Sequence, residues 1–293
     1  MRATVLKAAL AVGIAASLCA APFLDGRSAS APAAGGPGCP VVDVLVVHTP
    51  KAAERVGGEH RVPASAQRIA TRMNRSLAAG GLCGTIRVIH PYTARDYDGS
   101  EEFRAAYAVL KDHTSGLGRQ VHEQRERYGA DLVTLVVERA QRGGGTADYT
   151  PALDSSTDEY AYAVVEVDGI ELDSASHEIG HNLGLAHDRT TLAAGAEGAM
   201  RVSRTRPYNT GWITEDGTHY TLMAYRASCG AHCKRISRFS SAKGSWKGHR
   251  LGDASNDSVR VLRETMPIVA GYRSKSSPPG PRHCRSGPLR HAP

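Results

Sequence analysis

Aromatic residues are scarce, at 5% of 293 residues, with three Phe and two Trp. Hydrophobic residues nonetheless make up 41% of the chain, which excludes a disordered protein and suits an ordinary globular one. Long apolar runs are missing as well. No stretch reaches the roughly 18–20 apolar residues of a membrane span, which excludes an integral membrane protein. The six cysteines stand in no spacing that matches a four-cysteine zinc module. A basic surplus on the body of the chain is lacking too. The formal net charge is +7, but residues 1–20 hold Arg2 and Lys7 and no acid, so the rest carries +5. Arg273, Lys275, Arg282, Arg285 and Arg290, with no acid among them, account for those five. The basic character therefore belongs to the end of the chain, and a nucleic-acid-binding face is not expected.

Residues 1–20 have a charged start, an apolar run from Ala8 to Cys19, and small residues at Ala20 and Ala21. This is the layout of a secretory signal peptide, so the protein is expected to be secreted. Residues 21–40, rich in Ala, Gly and Pro, read as a linker or short pro-segment, and 274–293 as a basic disordered tail. Such a tail offers a hold on anionic cell-surface polymers. Without Cys19 five cysteines remain, Cys39, Cys83, Cys229, Cys233 and Cys284. Export permits disulfides, and an odd count leaves at least one thiol unpaired within the chain. Cys229 and Cys233 are near enough to clip one loop, and Cys39 and Cys83 flank the first strand–helix–strand unit, but the spacing alone does not fix the pairing.

Between the two ends, residues 41–273 form one domain. Val41 to His48 (VVDVLVVH) is a buried strand by its β-branched run. Pro63 to Ala79 carries Ile69, Met73 and Leu77 at helical spacing and stops at Gly80-Gly81. Thr85 to His90, Asp131 to Glu138 and Tyr160 to Val167 are further strands. Glu101 to Tyr128 is helical, with a break near Gly116 and Gly118. Strands alternating with helices predict an α/β (α+β) fold, a twisted and mostly parallel sheet with helices packed on it. The glycines from Gly143 to Gly145, followed by Thr146, are expected to lead into an edge strand.

The chemistry lies in HEIGHNLGLAHD, residues 177–188. His177 and His181, four apart on a helix, project from one face and can hold one ion. Gly184 permits the left-handed turn that brings His187 round as a third ligand. Asp173 stands at the expected N-cap. Three neutral ligands leave a position open, as in a catalytic rather than a structural zinc site. Glu178 neighbours the first ligand and can reach a water on the ion. With 13 His, 14 Glu and 31 Gly in the chain, chance assembly of this spacing is on the order of 10⁻⁴ per chain.

His-Glu-x-x-His-x-x-Gly-x-x-His resembles the motif of the metzincin zinc proteases, which predicts a methionine-containing turn downstream. Thr221-Leu222-Met223-Ala224-Tyr225 fits that Met-turn. Asp188 after the third histidine resembles the reprolysin branch. VVDVLVVHTPKA, YAVVEVDG, PYNTGW, CKRISRFSS and RVLRETMPIVAGYR are similar to bacterial reprolysin-like enzymes of the peptidyl-aspartate metalloendopeptidase type. The resemblance implies a metzincin-type catalytic domain with an antiparallel edge strand, an active-site helix and one catalytic Zn(2+). It implies a zinc-dependent endopeptidase, acting as a monomer on extended polypeptides. Zinc would activate a water, Glu178 would serve as general base, and Met223 would lie beneath the site. Tyr225 matches a tyrosine presented to the oxyanion, or else packs beneath the cleft. Arg235 and Arg238 follow the turn, where the family builds a specificity pocket; they would favour acidic residues at the cut, or else stand as surface arginines. Cys39 is open to a role as a zinc-capping thiolate or as a disulfide partner. The other reading is a non-catalytic secreted binding module with a structural zinc and a basic anchoring tail; a zinc amidase of cell-wall peptides would share the chemistry and differ in substrate.

Overall fold

In the computed structural model, residues 38–99, 102–138, 144–195 and 200–274 are described. The expected signal segment, most of the expected linker, Gly143, and the residues beyond Ser274, Cys284 among them, lie outside these. Strand β1 (Val41–His48) leads into α1 (Pro50–Arg55) and α2 (Val62–Ala79), and β2 (Thr85–Thr93) follows. Next come α3 (Phe103–Lys111), α4 (Gly116–Tyr128), β3 (Leu132–Val137), β4 (Gly145–Ala147) and β5 (Tyr162–Glu166). The second half holds α5 (Val167–Glu171), α6 (Ser174–Asn182), α7 (Arg189–Ala193), β6 (His219–Tyr220), β7 (Lys234–Arg235), β8 (Ser241–Trp246), β9 (His249–Leu251) and α8 (Ser258–Val269).

Five strands form one sheet in the order β2-β1-β3-β5-β4. Its first four strands are parallel, and β4 runs antiparallel to β5 at the edge. The β-branched run of β1 is buried because both faces of the sheet are covered. Val42, Val44 and Val46 face a core shared with Ile69, Met73 and Leu77 of α2 and with residues of α6 and α8. Leu45 and Val47 face the opposite core with Leu110 of α3 and Val121 of α4. The expected helical break falls at 112–115 rather than at the glycines. Ser115 caps α4 by accepting from the Gly118 amide at 2.8 Å. Gly118 is needed inside that first turn, where a Cβ would lie 2.0 Å from the Asp112 carbonyl oxygen.

Among the described residues two disulfides are present, Cys39–Cys83 and Cys229–Cys233. The first joins the chain entering β1 to the chain entering β2, so Cys39 has a structural role. No helix among the described residues is long and apolar enough to cross a membrane.

Candidate active site

All nine residues of α6 are buried, because the helix packs against β4 and β5 of the sheet and against α5 and α2. Thr265 of α8 donates to the Leu183 carbonyl at 2.8 Å. Asn182 Nδ2 lies 2.9 Å from the Tyr160 carbonyl and 3.1 Å from that of Tyr162. Both ends of the helix are fixed. At the N-terminus Asp173 adopts a left-handed backbone (φ 61°), and its side chain does not cap the helix as the sequence suggested. It accepts from Arg72 Nε at 2.7 Å and from the Ser237 hydroxyl. One buried carboxylate thus joins α2, the start of α6 and the segment beyond the Met-turn.

After Leu183 the chain reverses at Gly184 (φ 88°), with the Leu185 amide donating to the Gly180 carbonyl at 3.0 Å. Asn209 holds the turn by donating to the Gly184 carbonyl at 2.9 Å. The reversal delivers His187 to the face occupied by His177 and His181. The three Nε2 atoms lie 3.0–3.1 Å apart. Two Nδ1 atoms face backbone carbonyls, His177 to Leu222 at 2.6 Å and His181 to Leu185 at 2.7 Å. A carbonyl can only accept, so these Nδ1 atoms carry the protons and their Nε2 lone pairs point at the shared centre.

Burial holds all three histidines in the neutral form. The His177 pKa is pushed well below its usual value by desolvation, then by the neighbouring His181. Desolvation brings His181 down to about 4, and His187 falls further by burial and by the two neighbouring rings. Neutral imidazoles with converging lone pairs are the donors a zinc ion takes. Among the described residues this is the one group of three or more His, Cys, Asp or Glu able to hold a metal.

Glu178 is buried beside the triad, under the edge strand. A Cβ on Gly145 of β4 would lie 2.7 Å from Glu178 Cγ and 3.0 Å from its Oε1, so glycine lets the edge strand pass over the carboxylate. The Met-turn closes the floor. Met223 is fully buried, and a Cβ on Gly180 would lie 2.6 Å from its Sδ. A glycine inside a short helix costs roughly 1 kcal/mol against alanine, and contact with methionine explains it here. The sequence reading did not single out Gly180, although a poor helix former inside the motif was a signal.

Asp188 ties the segment that carries His187 to the turn. Its carboxylate accepts from the Thr191 amide (2.9 Å) and hydroxyl (2.7 Å) and from the Tyr225 amide (3.1 Å). The Tyr225 ring centroid lies 4.3 Å from that of His187 and 5.5 Å from that of His177. Arg235 also borders the site. It donates to the Leu172 carbonyl just before α6, lies 5.6 Å from the Tyr220 ring centroid, and its charge helps depress the His177 pKa. Arg238 does not join them. Ser237 turns toward Asp173, and Arg238 turns away to line a cavity between α2, β8 and α8. His219 meets Trp246 edge-on and lies tilted against His249, and His232 is exposed.

Residues 40–240 match the family model Reprolysin_5, metallo-peptidase family M12. The peptidyl-Asp metalloendopeptidase of Pseudomonas aeruginosa is 25% identical over 255 residues, 81% of this chain and 41% of that protein. The chain thus spans about two fifths of that relative's length. Among solved structures, one titled "Structure of a chaperone-substrate complex" is similar at a TM-score of 0.60 and 20% identity. It covers 80% of this chain and 36% of its own. The crystal structure of metalloproteinase-II from Bacteroides fragilis overlaps half of the chain (43% of its own) at a TM-score of 0.35 and 14% identity, too distant to bear on the fold.

Proposed function

This chain belongs to metallo-peptidase family M12, and from that membership we propose that it is an exported zinc endopeptidase acting on extended polypeptides. The observation that carries the reading is the convergence of three neutral Nε2 atoms beside a buried carboxylate. His177, His181 and His187 would hold one Zn(2+), which supplies Lewis-acid chemistry, making water more acidic and polarising a carbonyl. Glu178 is the general base in this reading. Its carboxylate accepts a proton from the attacking water and passes it to the leaving amine. Asp188 holds the Tyr225 amide, so the tyrosine ring stays beside the ligands, and in this reading its hydroxyl donates to the developing oxyanion.

Substrate lies along β4. That strand ends the sheet order, and an extended peptide added to its outer side would run past Glu178. The fixed guanidinium of Arg235 and the name of the Pseudomonas relative together support a preference for acidic side chains at the cut. Export rests on the layout of residues 1–20, and the two disulfides accord with it.

Glu178→Gln tests the reading. Hydrolysis of a peptide library should fall by about 10²–10⁴-fold while one zinc per chain is retained. Retained turnover would remove Glu178 from the mechanism; loss of the metal would make it a ligand instead.

A further inference from the structure

We propose that the cavity into which Arg238 turns is a second binding site, one that docks an acidic peptide segment carrying apolar side chains. The site goes beyond the active-site reading above. It is a cavity of about 820 Å³ between the end of α2, strand β8 and the first half of α8, within the range of ligand-sized pockets. Its walls carry four cations, Arg238, Lys243, Arg260 and Arg263, against two acids, Asp257 and Glu264.

Both acids are engaged within the fold. Asp257 caps α8 by accepting from the Arg260 amide at 3.1 Å. Glu264 accepts from the Tyr208 hydroxyl at 2.8 Å and pairs with Arg206 and Arg260, each at 3.3 Å. Arg260 is engaged in turn, by Glu264 and by the Tyr208 ring 3.9 Å away. Arg238, Lys243 and Arg263 remain, and none lies within ion-pair distance of a carboxylate among the described residues. Arg238 makes one long contact, 3.4 Å to the Ser245 carbonyl. Three cations without an ion-pair partner, against the one carboxylate of Asp257, leave a positive surplus around one concavity that attracts an anion.

The base of the cavity selects the kind of anion. Phe239, Leu251 and Val259 line it with only a small part of their surface exposed, so the apolar gain comes mainly from burying the ligand's own side chains against them, beside the gain from charge. An acidic peptide with interspersed hydrophobic residues meets both demands, whereas a polyphosphate or a sulfated sugar meets only one. The chain's own tail is excluded by sign, since Lys275, Arg282, Arg285 and Arg290 are its only charged side chains. The site is separate from the catalytic cleft but shares a wall with it. The Arg238 carbonyl accepts from the Leu222 amide of the Met-turn at 2.9 Å, and the Leu222 carbonyl accepts from His177.

The test uses the full chain as Glu178→Gln, so that the probe stays intact, and a fluorescein-labelled octapeptide of alternating Glu and Leu read by anisotropy. Saturable binding is expected, and it should persist in the presence of a chelator because no ligand of the metal site takes part. Lys243→Glu with Arg263→Glu, both exposed, should weaken binding about tenfold or more with an unchanged melting temperature. The milder pair Lys243→Gln and Arg263→Gln should fall between. An octapeptide of alternating Glu and Ser should bind about tenfold more weakly than the Leu peptide. Undiminished binding in the charge-reversal pair, or loss on chelation, would overturn the proposal. So would competition by polyphosphate as strong as that by unlabelled peptide.

Discussion

Asp173 shows how much one side chain of this chain can hold. A non-glycine residue in the left-handed region costs of order 1 kcal/mol, and the cost persists because the carboxylate joins Arg72 and Ser237 at the base of α6. Removing one partner of a buried pair leaves an uncompensated charge. Arg72 is a quarter exposed, so its loss of a partner is softened by water. Asp173→Ala is expected to destabilise the fold by about 2 kcal/mol and to lower kcat by more than the stability change explains, since α6 carries His177, His181 and Glu178. Asp173→Asn keeps the acceptor for Ser237 and should lose roughly half as much stability. Thermal melts beside turnover at a temperature where all variants are folded check this. Full activity in the Ala variant would reduce Asp173 to a packing role. The signal for such a role was absent from the sequence, where an aspartate before a helix reads as a cap.

The elements divide into those that periodicity reveals and those that only tertiary contacts explain. Strand β1 was legible to the residue, because a β-branched run buried on both sides has no polar face to blur its ends. Helix α2 was legible within a residue, from Ile69, Met73 and Leu77 on one face and Gly80-Gly81 after it. The short pairs β6–β7 and β8–β9 were not, since two to six residues carry no period. The turn that returns His187 was readable from Gly184, whose φ of 88° only glycine adopts cheaply. The opposite facing of Arg235 and Arg238 was not, because spacing after a turn does not say which way a segment faces. The disulfides also differ in what they do for their elements. Cys39–Cys83 closes 44 residues and Cys229–Cys233 only 4. By loop-closure entropy the first should stabilise the fold by about 4 kcal/mol and the second by about 2. Double Cys→Ser replacement at each pair, followed by denaturant titration, measures both. A larger loss from the short loop would mean that it acts through the Met-turn. Its neighbour Ser228 lies 2.8 Å from Thr191, and Thr191 donates to Asp188.

At the scale of the whole molecule, buried histidines make the fold sensitive to acid, and a bound metal should oppose that sensitivity. His48, at the end of β1, is fully buried against Ser65 at 3.0 Å, and its pKa falls to about 4 by desolvation, then by the Arg68 charge. His177, His181 and His187 are shifted the same way. In the unfolded chain all four return to about 6.5. Between pH 6.5 and 4 the unfolded state therefore binds more protons than the folded one, and stability falls as the pH falls through that window. Each such histidine costs about 1.4 kcal/mol by pH 5.5, and four together about 5, against a typical folding stability of about 5–15. A zinc ion that binds only the folded triad, and only as neutral imidazoles, would add stability that depends on its concentration. The chelated protein should accordingly lose about 5 kcal/mol between pH 7.5 and 5.5, a window above the range in which carboxylates titrate. At pH 7.5, chelation should lower the melting temperature of the parent and leave that of His181→Ala unchanged. A chelated parent whose stability is flat across the window would mean that these histidines titrate in the fold as they do in the unfolded chain, and the claim that burial holds them neutral would fail.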